Sequence, residues 1–103
     1  MRRPDIIRKI AETMHHIAPT AKTVLYGSEA RGEARPDSDI DLLILLEDSE
    51  QPFEERELEI VRQLYKVELD SGVIISPHIV LRCLWEKVST PFSINIQKEG
   101  ITL

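Results

Sequence analysis

Cysteine and aromatic residues are scarce in this 103-residue chain, which carries one cysteine, two phenylalanines, two tyrosines and one tryptophan. The lone thiol, Cys83, has no second cysteine with which to close a disulfide or build a metal knuckle, so it reads as a small apolar side chain without chemistry. Long hydrophobic runs are missing as well. Nothing approaches the roughly 20 apolar residues that a membrane-spanning helix needs. The start, Met1-Arg2-Arg3-Pro4-Asp5, leads into an amphipathic pattern rather than the apolar core of a signal peptide. Cytoplasmic location is therefore the expectation. Positive charge is also short, with 13 Lys and Arg against 18 Asp and Glu for a net charge of −5. That balance argues against a broad nucleic-acid surface, which draws on clustered cations, and suits a metal-using enzyme or a protein binder. Basic residues gather only at Arg2, Arg3, Arg8 and Lys9, where a solvated helix face is favoured over a surface for an acidic partner.

The length suits one compact domain spanning residues 1–103, with 42% hydrophobic and 30% charged residues as in ordinary folded chains. Ile6, Ile7, Ile10, Met14 and Ile17 recur at three- and four-residue steps, predicting a helix from Pro4 to Ala18 that Pro19 ends. Thr23 to Tyr26 reads as a strand, and Gly27 to Ser38 as a short helical turn followed by a loop. Ile40 to Leu46 is apolar on both faces apart from Asp41, the pattern of a central strand covered on both sides. A second amphipathic helix starts at Phe53 and runs past Val67 until Ser71-Gly72 breaks it. Val73 to Leu81 reads as a β segment that Pro77 assigns to a sheet edge or bulge. A short helix around Leu84 to Val88 and a last one over Phe92 to Lys98, started by Pro91 and stopped by Gly100, complete the chain.

The most informative spacing is Gly27-Ser28 at the end of one strand, followed by Asp39 and Asp41 at the start of the next. Alternate strand residues share a face, so the two carboxylates project together, about 6.6 Å apart at Cα, and can grip one divalent cation. Glycine lets backbone approach a phosphate closely, and a turn aims N–H groups at anionic oxygens, with the Ser28 hydroxyl as a further donor. Arg31 either neutralises phosphate charge or pairs with Glu29, Glu33 or Asp37 at the surface. Mg²⁺ held by paired aspartates bridges phosphate oxygens during nucleotidyl transfer. The alternative for Asp39 is a turn residue supporting backbone N–H groups. Asp41 fits that alternative less well, because a lone carboxylate in an apolar run is expensive to bury unless paired or metal-bound.

Gly27-Ser28-Glu29-Ala30-Arg31-Gly32 followed by Ser38-Asp39-Ile40-Asp41-Leu42-Leu43-Ile44 resembles the signature of the minimal nucleotidyltransferases in the polymerase β superfamily. The resemblance implies an α+β fold, a small mixed sheet with helices packed on one face. It implies Mg²⁺ or Mn²⁺ held catalytically by Asp39 and Asp41, with Gly27 and Ser28 against a nucleoside triphosphate, ATP being the expected one. Small members of this family are often antitoxins paired with a helical HEPN-domain ribonuclease toxin, which some inactivate by adding AMP to a tyrosine. The implied function is transfer of AMP to a hydroxyl of such a partner, and the alternative is a weakened or inactive antitoxin that neutralises its toxin by contact alone.

One departure from that pattern bears on the chemistry. Active relatives usually carry a third carboxylate on a later strand, where it completes the metal site and helps deprotonate the acceptor. The segment Val73-Ile74-Ile75-Ser76-Pro77-His78-Ile79-Val80 has none. Glu68 and Asp70 could serve only if that strand starts earlier, and His78, on one strand face with Ser76, is a substitute base at best. His15 and His16 on the first helix suggest no role.

Overall fold

The computed structural model describes residues 3–103, so Arg2 of the basic N-terminal group lies outside the described residues. The elements run α1 (Arg3–Ile17), β1 (Lys22–Tyr26), β2 (Ile40–Leu46), α2 (Phe53–Ser71), β3 (Ile75–Leu81), α3 (Arg82–Trp85), α4 (Pro91–Glu99) and β4 (Ile101–Thr102). The four strands form one mixed sheet in the order β3-β2-β1-β4. β1 is antiparallel to both β2 and β4, whereas β2 and β3 are parallel and joined by the crossover helix α2.

Strand alternation divides the core in two. Ile40, Leu42, Ile44 and Leu46 face one side and pack on Ile6, Ile10 and Met14 of α1 and on Ile60, Leu64 and Val67 of α2. Leu43 and Leu45 face the other side with Val24, against Ile96 of α4. The two long helices thus cover one face of the sheet as expected, while the short α3 and α4 lie over part of the other. Burying each such side chain contributes about 1.5–3 kcal/mol, which is why β2, apolar in both directions, sits centrally.

The element ends have local causes. α2 stops where Gly72 takes a left-handed φ of 74° and donates its N–H to the Glu68 carbonyl. α4 opens with Pro91 behind a reciprocal cap, in which Thr90 Oγ1 accepts the Ser93 N–H at 3.1 Å and Ser93 Oγ accepts the Thr90 N–H at 2.9 Å. Gly100 ends α4 for a steric reason, because a Cβ there would lie 2.5 Å from both the Ile96 carbonyl oxygen and Val24 Cγ1. The tail beyond it pairs with β1 as β4, a two-residue strand too short to show a pattern.

Pro77 lies on the edge strand, as expected. The Ile40 N–H donates to the Ile74 carbonyl and Ile40 is paired with Ile75, so even-numbered residues of β3 turn their backbone groups toward β2. Pro77 therefore presents its missing N–H outward, where no ladder bond is lost. The outward Ile75 N–H donates to Glu68 Oε1 at 2.9 Å. Cys83 differs from its reading as apolar filler: α3 lies at the surface and the thiol is exposed.

The helix–sheet seam sets the stability of the fold. Leu64→Ala, at a site 2% exposed, is expected to cost about 2–5 kcal/mol in urea unfolding. Leu69→Ala on the outer side of the same helix, 64% exposed, is expected to cost less than about 0.5 kcal/mol.

Candidate active site

β1 ends at Tyr26, which is paired with Asp41 on β2, and Asp41 is paired in turn with Ser76 on β3. Side chains opposite one another on neighbouring strands share a face, so Tyr26, Asp41 and Ser76 form a row across the sheet on the side that bears α4. Ile40 is fully buried on the opposite face. Asp41 therefore projects on the α4 side, half-buried, and the exposed Asp39, one residue before β2, lies close enough to act on its charge.

Gly27 follows directly with φ 74°, and a Cβ at this position would stand 2.6 Å from Asp41 Oδ2. Only glycine lets the backbone pass that close to the carboxylate in a left-handed conformation. The chain then coils through one turn, in which the Arg31 N–H donates to the Gly27 carbonyl and the Glu33 N–H to the Ser28 carbonyl. Among the described residues, Ser28, Glu29 and Ala30 donate no backbone hydrogen bond outside the strands. These N–H groups, in the turn that follows the Tyr26–Asp41 pair, are thus available to an anion.

A residue that sequence reasoning placed on a solvated face holds this loop. Arg3 of α1 donates from Nε to Glu29 Oε1 at 2.8 Å, and its guanidinium also reaches the Pro36 carbonyl at 3.3 Å and the Ser38 carbonyl at 2.9 Å. Both charged side chains of the pair are largely covered, 19% and 13% exposed. One arginine thus ties both ends of the segment between β1 and β2 to the first helix. Nothing in its sequence neighbourhood signals this, because the partners lie 26 to 35 residues away.

Arg31 pairs with Glu33 at 3.1 Å and with Glu99 of α4 at 3.2 Å, not with Glu29 or Asp37. The hydrogen bonds it donates to those two carboxylates raise its pKa above the usual guanidinium value. Burial holds the Asp41 carboxyl above its ordinary value of 3.8, Asp39 pushes it further the same way, and Arg31 draws it back. Burial and then the Asp41 charge raise the Tyr26 phenol. Asp41 is thus a carboxylate held close to a like charge with incomplete compensation.

That imbalance is what a hard divalent cation relieves. Asp39 and Asp41 supply oxygen donors of the kind Mg²⁺ and Mn²⁺ take, and Mg²⁺ commonly completes its shell with water and substrate phosphate rather than with further side chains. The donor set fits such an ion on two protein ligands. Among the described residues no group of three or more Asp, Glu, His and Cys is placed to hold a metal. Ser76 occupies the register position opposite Asp41. Glu68 and Asp70 both belong to α2, with Glu68 committed to the Ile75 N–H, so β3 does not begin early enough to recruit them. His78 is exposed beside Leu43 on the same face and meets Phe92 edge-on, ring centres 5.9 Å apart.

Two outcomes follow from this geometry. Gly27→Ala, strained at positive φ and pressed on Asp41, is expected to lose about 1–2 kcal/mol of stability in thermal or urea unfolding and to weaken Mg²⁺ binding by isothermal titration. Asp41→Asn is expected to stabilise the metal-free protein at neutral pH. A carboxyl whose folded pKa is raised contributes stability below its unfolded pKa and loses it as pH rises through the folded one, a loss asparagine avoids. Thermal melts in chelator should show the variant ahead at pH 7 and the gap closing below pH 3.8.

A family model described as the nucleotidyltransferase domain matches residues 7–103. A solved structure described as a candidate minimal nucleotidyltransferase aligns with a TM-score of 0.64 at 25% identity, covering 100% of this chain and 97% of that one. A toxin-antitoxin crystal structure with AMP-PNP aligns at 0.57 and 21% identity, over 92% of this chain and 69% of that one. A candidate nucleotidyltransferase from Sulfolobus solfataricus aligns at 0.55 and 16%, over 96% and 82%. At those last two identities the likeness is one of fold. No curated protein matches. With the family match spanning β1, β2 and the turn between them, this chain belongs to the nucleotidyltransferase domain family and has the fold of its minimal members.

Proposed function

We propose that the protein is a divalent-metal-dependent nucleotidyltransferase that moves AMP from ATP to a hydroxyl group on a partner protein and so acts as an antitoxin. The observation that carries the reading is the convergence of Asp39, Asp41 and the Gly27-Ser28 turn at one end of β1 and β2, within reach of Arg31. The metal, when bound, offsets the charge that builds on the phosphates as the nucleotidyl group is transferred. Asp39 and Asp41 hold it, the turn N–H groups and the Ser28 hydroxyl orient phosphate oxygens, and Arg31 exchanges a carboxylate partner for phosphate. The acceptor oxygen forms a bond to the α-phosphorus, the bond from that phosphorus to the β-phosphate oxygen breaks, and pyrophosphate leaves. The acceptor proton passes to water or to a base on the partner, since β3 offers Ser76 where a carboxylate would serve.

The toxin-antitoxin relative supports a protein partner, and a HEPN-domain ribonuclease is the partner we propose. No helix among the described residues is long and apolar enough to cross a membrane, in keeping with a cytoplasmic site of action. The Ser76 position favours a second reading, in which the same surface neutralises the partner by contact with little or no transfer.

Incubation of the partner with ATP and Mg²⁺, followed by intact-mass spectrometry, separates the two. A mass gain of one or more AMP units, abolished in Asp39→Ala and in Asp41→Ala while both variants keep the wild-type circular dichroism, is the expected result. Inhibition of the partner with unchanged mass selects the contact reading, and full transfer by either variant rules out the assignment of the aspartates.

A further inference from the structure

Beside the phosphate turn lies a cleft of about 250 Å³ bounded by Tyr26, Gly27 and Arg31 on one side and by Phe92, Asn95 and Glu99 of α4 on the other. We propose that this cleft takes the base of the nucleotide, with Phe92 as its stacking surface and Asn95 as the side chain that selects adenine. The proposal rests on the nucleotidyltransferase reading and adds a specificity subsite to it.

The position comes first. Gly27 and Arg31, the candidate phosphate contacts, are themselves walls of the cleft, so a nucleoside held by its phosphates has this cavity within one ribose of the turn. A larger cleft of about 440 Å³, lined by Phe53, Leu84, Trp85 and Val88 among others, touches neither of them. Phe92 lines both cavities.

Phe92 is 45% exposed, yet its ring is held by three others. Tyr26, His78 and Trp85 meet it at close to right angles, with ring centres 5.6, 5.9 and 6.1 Å away. An aromatic ring held on several sides and still partly open is a pre-ordered platform, and stacking a base on such a ring is sequence-tolerant. Selection needs a polar group. Phe92, Asn95 and Glu99 stand at i, i+3 and i+7, one face of α4 turned toward the cleft. The Asn95 amide pairs an acceptor with a donor, matching the N6 amino group and N7 of adenine. Guanine presents two acceptors on that edge. Glu99, tied to Arg31 at 3.2 Å, closes the rim between base and phosphate ends.

The test is isothermal titration of Mg²⁺-ATP, Mg²⁺-GTP and Mg²⁺-tripolyphosphate into the wild-type protein, Phe92→Leu and Asn95→Ala. Wild type should prefer ATP to GTP. Phe92→Leu should weaken both nucleotides by roughly 5- to 100-fold, the scale of one base-stacking contact. Asn95→Ala should weaken ATP and leave GTP unchanged, and tripolyphosphate, which has no base, should bind all three proteins alike. Wild-type affinity for ATP in both variants overturns the subsite while leaving the nucleotidyltransferase reading intact. Equal wild-type affinity for ATP and GTP overturns the adenine assignment, and a matching loss of tripolyphosphate in the variants overturns it too, by showing a packing effect. Failure of wild type to bind any of the three removes the nucleotidyltransferase reading and the subsite together.

Discussion

Asp41 is the one polar side chain in a strand whose other six residues are buried. Everything at the candidate site depends on the tension between that carboxylate and its surroundings. β2 must be central because it is apolar on both faces, and a central strand leaves Asp41 flanked by neighbours on either side. Tyr26 is one and Ser76 the other, while Gly27 yields the space that Asp41 Oδ2 occupies. Burial and the Asp39 charge both disfavour its ionised form, and Arg31 offsets them in part.

The sheet order distributes the proposed chemistry. β1 leads into the turn suited to phosphate, β2 brings the two aspartates, and β3 ends the row with an uncharged hydroxyl. Strand alternation then sends the long helices to the face opposite the aspartates, so the larger share of the core forms without crowding the site. The short α3 and α4 lie on the active side, with α4 anchored by Ile96 and fitted against Val24 where only Gly100 allows the chain to pass. A site built on strand ends is thereby held by packing on one face and left open on the other.

Much of this was legible in the chain. The β2 run, the stripes of α1 and α2, the Pro91 start of α4 and the Gly72 stop are short-range patterns, and each element lies within a few residues of its expected bounds. Pro77 announced a sheet edge or a bulge, because proline removes a donor wherever it stands, and β3 is an edge strand. The parts that were not legible depend on distant partners. Arg3 looked like one cation of a solvated cluster, but it spans from α1 to Glu29 and Ser38. Arg31 had three acidic neighbours in sequence, and chose Glu33 along with Glu99 from the far end of the chain. β4 had too few residues for any period to show.

By itself, then, the sequence determined that Asp39 and Asp41 share one side of a strand opening and that Gly27-Ser28 precedes them in a turn, because side-chain alternation and glycine conformation are local properties. It also determined that β3 lacks a carboxylate between Val73 and Leu81. Only the tertiary structure decided that Ser76 is the residue facing Asp41, since register between parallel strands is set by the packing of α2 across them. Only it set Phe92, Asn95 and Glu99 beside the Gly27-Ser28 turn, because α4 finds its place by burying Ile96 against β1 and β2 and not by any pattern within its own nine residues.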